Sequence, residues 1–276
     1  MKEGEIKKAV REGYASIAKG EGFCCGPASS CCGNLNVIED ISKSIGYTEK
    51  EMRMVPEGAN LGLGCGNPIA LASLKEGETV IDFGSGAGFD CFLAANAVGK
   101  EGKVIGVDMT PEMIDKAREN ARQGNYAHVE FRLGEIENIP VPDSFVDCVI
   151  SNCVINLAPD KRKVFKETFR VLKPGGRLMV SDIVVTQELP DFIKSSLAAY
   201  VGCIAGALMK EEYLQTIRDA GFHEVRVVDE QSFPIDCIAN DPAAQAIIEK
   251  IHISQEGLEE IGNAVLSIKV EGKKSG

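Results

Sequence analysis

Three cysteines lie in contexts that suit chemistry as well as packing. Cys65 is held in the glycine-rich segment LGLGCGNP (61–68). Cys153 follows Ser151-Asn152, at the end of an apolar stretch that reads as a strand. Cys203 sits in AAYVGCIAGAL (198–208), an apolar insertion. If that insertion caps the carboxyl end of the sheet, three thiols from distant parts of the chain converge over one mouth. Thiolates are soft ligands and suit soft ions such as Zn, Cu(I) or trivalent arsenic. The plainer alternative is packing: Cys65 on the sheet, Cys153 as a small apolar residue, Cys203 in the core of the cap. The chain holds ten cysteines among 276 residues. Cys91 and Cys148, inside a predicted helix and a predicted strand, read as core, and Cys237 has no clear role. Cys24-Cys25 and Cys31-Cys32 fall in a turn-like, Gly-rich run.

A second constellation is Gly84-Ser85-Gly86-Ala87-Gly88, a GxGxG turn that follows Asp82-Phe83. Such glycines let the backbone approach a nucleotide-like ligand closely. A dinucleotide fingerprint, GxGxxG, wants glycine at position 89, where this chain has Phe89. The turn therefore fits S-adenosylmethionine better than NAD. Asp108 ends the next predicted strand and is placed to accept both ribose hydroxyls. Met109 is expected against the adenine, with Gly134-Glu135-Ile136 at its edge. Asn152 completes the predicted cofactor set. All of these lie at carboxyl ends of strands, where open α/β sheets bind ligands.

The elements that must position these groups follow a regular alternation from residue 76. Strands are predicted at 79–85, 102–108, 129–135, 144–152 and 176–184, with helices between them. The helix over 110–124 has Thr110 as its cap, Pro111 at its first position and Gly124 as its stop. The segment 159–176 is predicted as a helix running into Lys173-Pro174-Gly175-Gly176. Late strands are expected at 223–229 and 263–272. Strand–helix alternation of this kind makes an α/β fold with a seven-stranded, mostly parallel sheet and helices on both faces. Residues 1–75 form a Cys-rich N-terminal helical and loop segment, with helices predicted over 1–20 and 48–54. The latter opens on a capping box, Thr48 and Glu51. Residues 76–276 form the main domain, with the cap insertion near 186–209.

The formal net charge of −11 argues against a nucleic-acid partner, which needs clustered Lys and Arg. No run approaches the ~20 apolar residues of a membrane span, and the charged N-terminus is unlike a signal peptide. A cytoplasmic protein is expected, with no membrane partner. Structural disulfides are rare in that compartment, so ten cysteines point to metal or metalloid binding or thiol redox chemistry.

Taken together, LGLGCGNP, DFGSGAGFD, SNCVINLAPDK and YVGCIAGAL resemble the arsenite methyltransferase family, class I S-adenosylmethionine (SAM) methyltransferases. The phrase Leu172-Lys173-Pro174-Gly175-Gly176 adds to the class resemblance. What the resemblance implies is a transfer of methyl groups from SAM to trivalent arsenic held by Cys65, Cys153 and Cys203, serving arsenic detoxification. It also implies a fourth catalytic cysteine near the N-terminus. Cys24, Cys25, Cys31 and Cys32 all offer themselves, and Cys32 is taken; the paired CC-x5-CC pattern departs from the single cysteine expected there. An external thiol reductant of thioredoxin or glutathione type would restore thiols oxidised during turnover. Two other readings stand beside this one. A quinone-type carbon methyltransferase would need a base, for which Asp182 is available. A Zn- or metalloid-binding module would use the four N-terminal cysteines, although adjacent cysteines chelate awkwardly.

Overall fold

The computed structural model describes residues 2–20, 35–68, 72–232, 262 and 264–276. Among the elements that precede the sheet are α1 (Glu3–Lys19), α2 (Leu35–Ser44) and α3 (Glu49–Arg53). The α3 start is the predicted capping box. Thr48 accepts from the Glu51 amide, and Glu51 accepts from the Thr48 amide at 2.7 Å. The α2 helix was not among the expected elements.

The alternating part then runs β1 (Thr79–Phe83), α4 (Phe89–Val98), β2 (Lys103–Asp108), α5 (Pro111–Gln123), β3 (Val129–Leu133) and β4 (Val146–Asn152). It continues with α6 (Lys161–Val171), β5 (Leu172–Val185), α7 (Asp191–Lys194), α8 (Leu197–Val201), α9 (Lys210–Asp219), β6 (His223–Ser232) and β7 (Val265–Lys273). The seven strands are ordered β3-β2-β1-β4-β5-β7-β6. The first five are parallel, and β7 runs antiparallel to both β5 and β6. This is the predicted seven-stranded, mostly parallel class I methyltransferase sheet.

Successive strand residues point to opposite faces, so each strand feeds two cores. Ile81, Ile105 and Val149 join the core under α6 and α9. Their neighbours Val80, Val104 and Ile150 join the core under α4 and α5. Phe165 of α6 meets Tyr213 of α9 edge to face, at 5.5 Å between centroids, which adds about 1 kcal/mol beyond area burial. A third cluster, at the carboxyl ends of β4 and β5, packs Ile6 and Val10 of α1 against Leu157, Ile183 and Leu189. Cys65, Cys153 and Cys203 belong to this third cluster.

Local details depart from expectation. Helix α6 stops at Val171 and the Lys173-Pro174-Gly175-Gly176 stretch is already strand, because Leu172 pairs with Val146 and Gly175 donates to the Lys274 carbonyl. Thr110 holds the N-cap position of α5 without a side-chain cap bond; its amide is bonded instead by Asp108. Gly124 keeps a right-handed φ, and Asn125 takes the left-handed turn.

Candidate functional site

The carboxyl ends of β1, β2 and β4 open into one pocket. Gly84, Ser85, Gly86, Asp108, Met109 and Ile136, all named as candidate cofactor residues, line it. Asp82 and Asn152 also reach the wall. Gly88 does not form the wall; it caps α4 in a left-handed conformation, φ 97°. The Glu135 carboxylate turns away to Lys7 of α1, at 2.9 Å. Asp108 accepts from the Gly86 amide at 3.0 Å and from the Thr110 amide at 2.8 Å. The Thr110 hydroxyl and the Met109 amide also hydrogen-bond this carboxylate, which lies at the pocket wall where a ribose would approach.

The wall fits SAM. Ser85 Oγ is buried with no hydrogen-bond partner, and a ligand with polar groups satisfies it. Asp82 and Asp90 are both buried, and the Asp90 charge raises the proton affinity of Asp82. Burial comes first for Asp82, then the Asp90 charge, and its pKa stands well above the usual carboxylate value. Burial likewise pushes Asp90 up to about 6, against hydrogen bonds from Tyr47 and Asn152. A cationic ligand beside them offsets the cost of burying two negative charges, and SAM is a cation.

The predicted thiols meet beside this pocket, and Cys153 lines it. The ligand atoms of Cys65, Cys153 and Asp182 all lie within 4.8 Å of one another. One thiophilic atom with bonds of about 2.3 Å to each sulfur spans such a gap with little adjustment. The Cys153 thiol is hydrogen-bonded to both Cys203 and Cys65, which together with burial raises its pKa well above the free value. Burial raises that of Cys65 as well. The Cys203 thiol donates to the Cys153 carbonyl at 2.8 Å. Cys153 and Cys203 both have left-handed backbones, φ 58° and 65°, a conformation that costs a non-glycine residue about 1 kcal/mol or more. Both strained residues sit in the site itself.

Glycines flank Cys65 because the loop lies hard on the sheet. A Cβ on Gly64 would fall 2.6 Å from Asn152 Nδ2, and one on Gly66 would fall 2.1 Å from Ser181 Oγ. Asn152 holds this loop in place: its Oδ1 accepts from the Cys65 amide at 3.0 Å, and its Nδ2 donates to the Gly66 carbonyl at 2.7 Å.

Cys32, like Cys24, Cys25, Cys31 and Cys237, lies outside the described residues. Cys148 is core, as expected. Cys91 is buried too, but its thiol donates to Asp82 at 3.2 Å. Asp182 accepts from Tyr213 Oη and the Ile183 amide, and burial pushes it up to about 7. Several site residues were not anticipated. Tyr14 of α1 lines the pocket and hydrogen-bonds Cys203. Tyr47 donates to Asp90 at 2.6 Å. Lys7 ion-pairs with Glu137 at 3.0 Å, and both line the pocket. The one available signal was amphipathic spacing, since Lys7, Val10 and Tyr14 share a face of α1.

Residues 74–221 match the family described as a methyltransferase domain. An arsenite methyltransferase from Halobacterium salinarum is 49% identical over 230 residues, covering 81% of this chain and 59% of the relative. One from Aquipseudomonas alcaligenes is 36% identical, covering 75% of this chain and 60% of the relative. The chain thus spans about 60% of the length of these curated relatives. Among solved structures, an arsenic(III) S-adenosylmethionine methyltransferase from Chlamydomonas reinhardtii superposes with a TM-score of 0.64 at 32% identity, covering 85% of this chain and 74% of that one. The chain belongs to the class I SAM-dependent methyltransferases, within the arsenite methyltransferase family.

Proposed function

We propose that the protein methylates trivalent arsenic with SAM as methyl donor, in arsenic detoxification. The observation that carries this reading is the approach of the Cys65 and Cys153 thiols to within 4.8 Å, with Cys203 hydrogen-bonded to Cys153, which lines the pocket read as the donor site. The names of the relatives support the same acceptor.

Cys153, between the other two thiols, is the central ligand, with Cys65 and Cys203 completing the set. Each thiol that binds arsenite gives its proton to a departing hydroxide, so one water leaves per As–S bond formed. The raised thiol pKa values of Cys65 and Cys153 suit this exchange, because the protons travel with the leaving group. SAM, when bound, supplies a methyl group activated by its sulfonium sulfur. The arsenic lone pair is the nucleophile, so no residue has to act as general base. The protein's task is to hold donor and acceptor about 3–3.5 Å apart and in line. Asp82, Asp90 and Asp108 hold the donor's cationic and ribose ends; Met109 and Ile136 pack its adenine. Transfer takes arsenic formally from the trivalent to the pentavalent state. Return to the trivalent state consumes two thiols and forms a disulfide. We assign its reduction to a thioredoxin- or glutathione-like thiol of the cytoplasm, with Cys32 as the N-terminal participant.

The quinone-type alternative would use Asp182 as base. That carboxyl is buried and already bonded to Tyr213 and to the Ile183 amide, and the alternative leaves three converging thiols without a task.

The test is arsenic speciation after incubation with SAM, arsenite and a thiol reductant. Methylated arsenicals are expected from the wild type and from neither the SAM-free control nor Cys153→Ser. SAM binding without any methylated product would overturn the acceptor.

A further inference from the structure

We infer that Asn152 is a positioning residue that couples methyl-donor binding to the geometry of the arsenic-binding thiols; this rests on the function proposed above. Asn152 is the last residue of β4 and the chain neighbour of Cys153. Its amide joins three separate segments. Toward the acceptor side, Oδ1 accepts from the Cys65 amide at 3.0 Å and Nδ2 donates to the Gly66 carbonyl at 2.7 Å. Toward the N-terminal segment, Nδ2 meets Tyr47 Oη at 2.9 Å. Toward the donor side, Nδ2 meets Asp90 Oδ2 at 3.2 Å. Asp90 opens α4 directly after the glycine turn and lines the donor pocket.

This network admits one orientation of the amide. A flipped Asn152 would set its oxygen against the Gly66 carbonyl and the Asp90 carboxylate, and its NH2 against the Cys65 N–H. All three contacts would become repulsive. The Asp90 charge therefore helps to decide which way the amide points, and the amide decides where the peptide groups on both sides of the Cys65 side chain sit. Gly64 leaves the loop no other seat, since even a Cβ there would strike Asn152 Nδ2 at 2.6 Å.

The donor brings positive charge to a pocket walled by Asp82 and Asp90. A cation there fixes the position of the Asp90 carboxylate, which accepts a charge-assisted bond from Asn152 Nδ2; such bonds are about twice as strong as neutral ones. The Cys65 loop is then clamped with its thiol facing Cys153. Coupling of this kind is reciprocal: if donor binding favours arsenite, arsenite favours donor binding by the same factor. A free donor site thus goes with a looser thiol pair, and the tight acceptor site assembles when the methyl group is at hand.

The experiment measures arsenite affinity by equilibrium dialysis with arsenic quantitation, under a non-thiol reductant. It is run with and without saturating sinefungin, an unreactive donor analogue that carries an ammonium group where the donor carries its sulfonium, so the positive charge is kept. In the wild type it should tighten arsenite binding by roughly 5- to 50-fold, the usual range of site–site coupling. In Asn152→Ala the ratio should fall to about 1. A purely structural role for Asn152 would weaken both affinities and leave the ratio in place, and that result would overturn the inference. So would a wild-type ratio of 1. Should Asn152→Ala not fold, hydrogen exchange on the wild type decides: sinefungin should slow exchange over residues 61–68, and unchanged exchange there counts against the coupling. Absence of arsenite binding under every condition would overturn the acceptor assignment and this inference with it. Binding without coupling would overturn this inference alone.

Discussion

The thiol of Cys203 donates its hydrogen to the backbone carbonyl of Cys153 at 2.8 Å, so the placement of one thiol depends on the main chain of another. That main chain is in the left-handed region, φ 58°. The strained turn after β4 therefore presents Cys153 and seats Cys203 from the cap in the same step. The proposed acceptor site is one unit built from β4, the segment that carries Cys203 and the Cys65 loop.

Cys203→Ser should keep the hydrogen bond to Cys153 and hence the fold, because a hydroxyl donates at least as well as a thiol. Methylation should fall by about 100-fold or more with the loss of a soft ligand, while SAM affinity stays within a few-fold. Cys203→Ala should show the same loss of activity plus about 1 kcal/mol of stability, from the unpaired carbonyl. Speciation assays and denaturant melts of both variants check this.

Gly66→Ala tests the seating of the Cys65 loop. The added Cβ would lie 2.1 Å from Ser181 Oγ, so loop or strand must shift. Overpacking of this kind costs about 1–3 kcal/mol. Arsenite binding is expected to weaken by about 10-fold or more with donor binding retained. Equal weakening of both ligands, measured by calorimetry and dialysis, would contradict the local assignment.

The Lys7–Glu137 pair ties α1 over the donor pocket. Glu137 is buried, and truncating one partner of a buried pair leaves the other charge uncompensated, at a cost of about 3 kcal/mol. Lys7→Met is expected to lower stability by that order and to raise the KM for SAM more than it lowers kcat, since Lys7, Val10 and Tyr14 wall the pocket. Steady-state kinetics at varied SAM reads the split.

Asp90 carries a pH signature. Burial raises its pKa from the ordinary 3.8 to about 6 in the folded chain. Folded protein therefore holds a proton that the unfolded chain has already released between about pH 4 and 6. Its stabilising contribution is full below about pH 4 and is lost as pH rises through 6, amounting to at most about 3 kcal/mol. Raising the pH from 5 to 8 should destabilise the ligand-free wild type more than Asp90→Asn, in paired denaturant titrations. SAM affinity should move the other way and fall below pH 6, because the cation favours the ionised carboxyl.

Among the described residues, no helix is long and apolar enough to cross a membrane, in line with the apolar run lengths read from the sequence.

The sequence by itself determined the sheet and the donor pocket. Both are local: continuous apolar runs such as those of β1 and β2, a GxGxG turn, and Asp108 at the end of its strand. It also singled out Cys65, Cys153 and Cys203 by context. What it did not hold was their approach to one another, which depends on the left-handed turns at Cys153 and Cys203 and on a Gly64–Gly66 loop lying against Asn152 and Ser181. Nor did it mark Tyr14, Tyr47 or Asp90. A polar residue in the first turn of a helix ordinarily faces water; Asp90 is buried because Tyr47 and Asn152 arrive from elsewhere in the chain to bond it. The end of α6 was misplaced for a similar reason: Lys173-Pro174-Gly175-Gly176 looks like a helix stop followed by a loop, and becomes strand through hydrogen bonds to Lys274, a partner distant in sequence. Local propensity sets elements and turns, whereas burial, charge pairing and side-chain convergence depend on long-range packing, and the chemistry at this site depends on the latter.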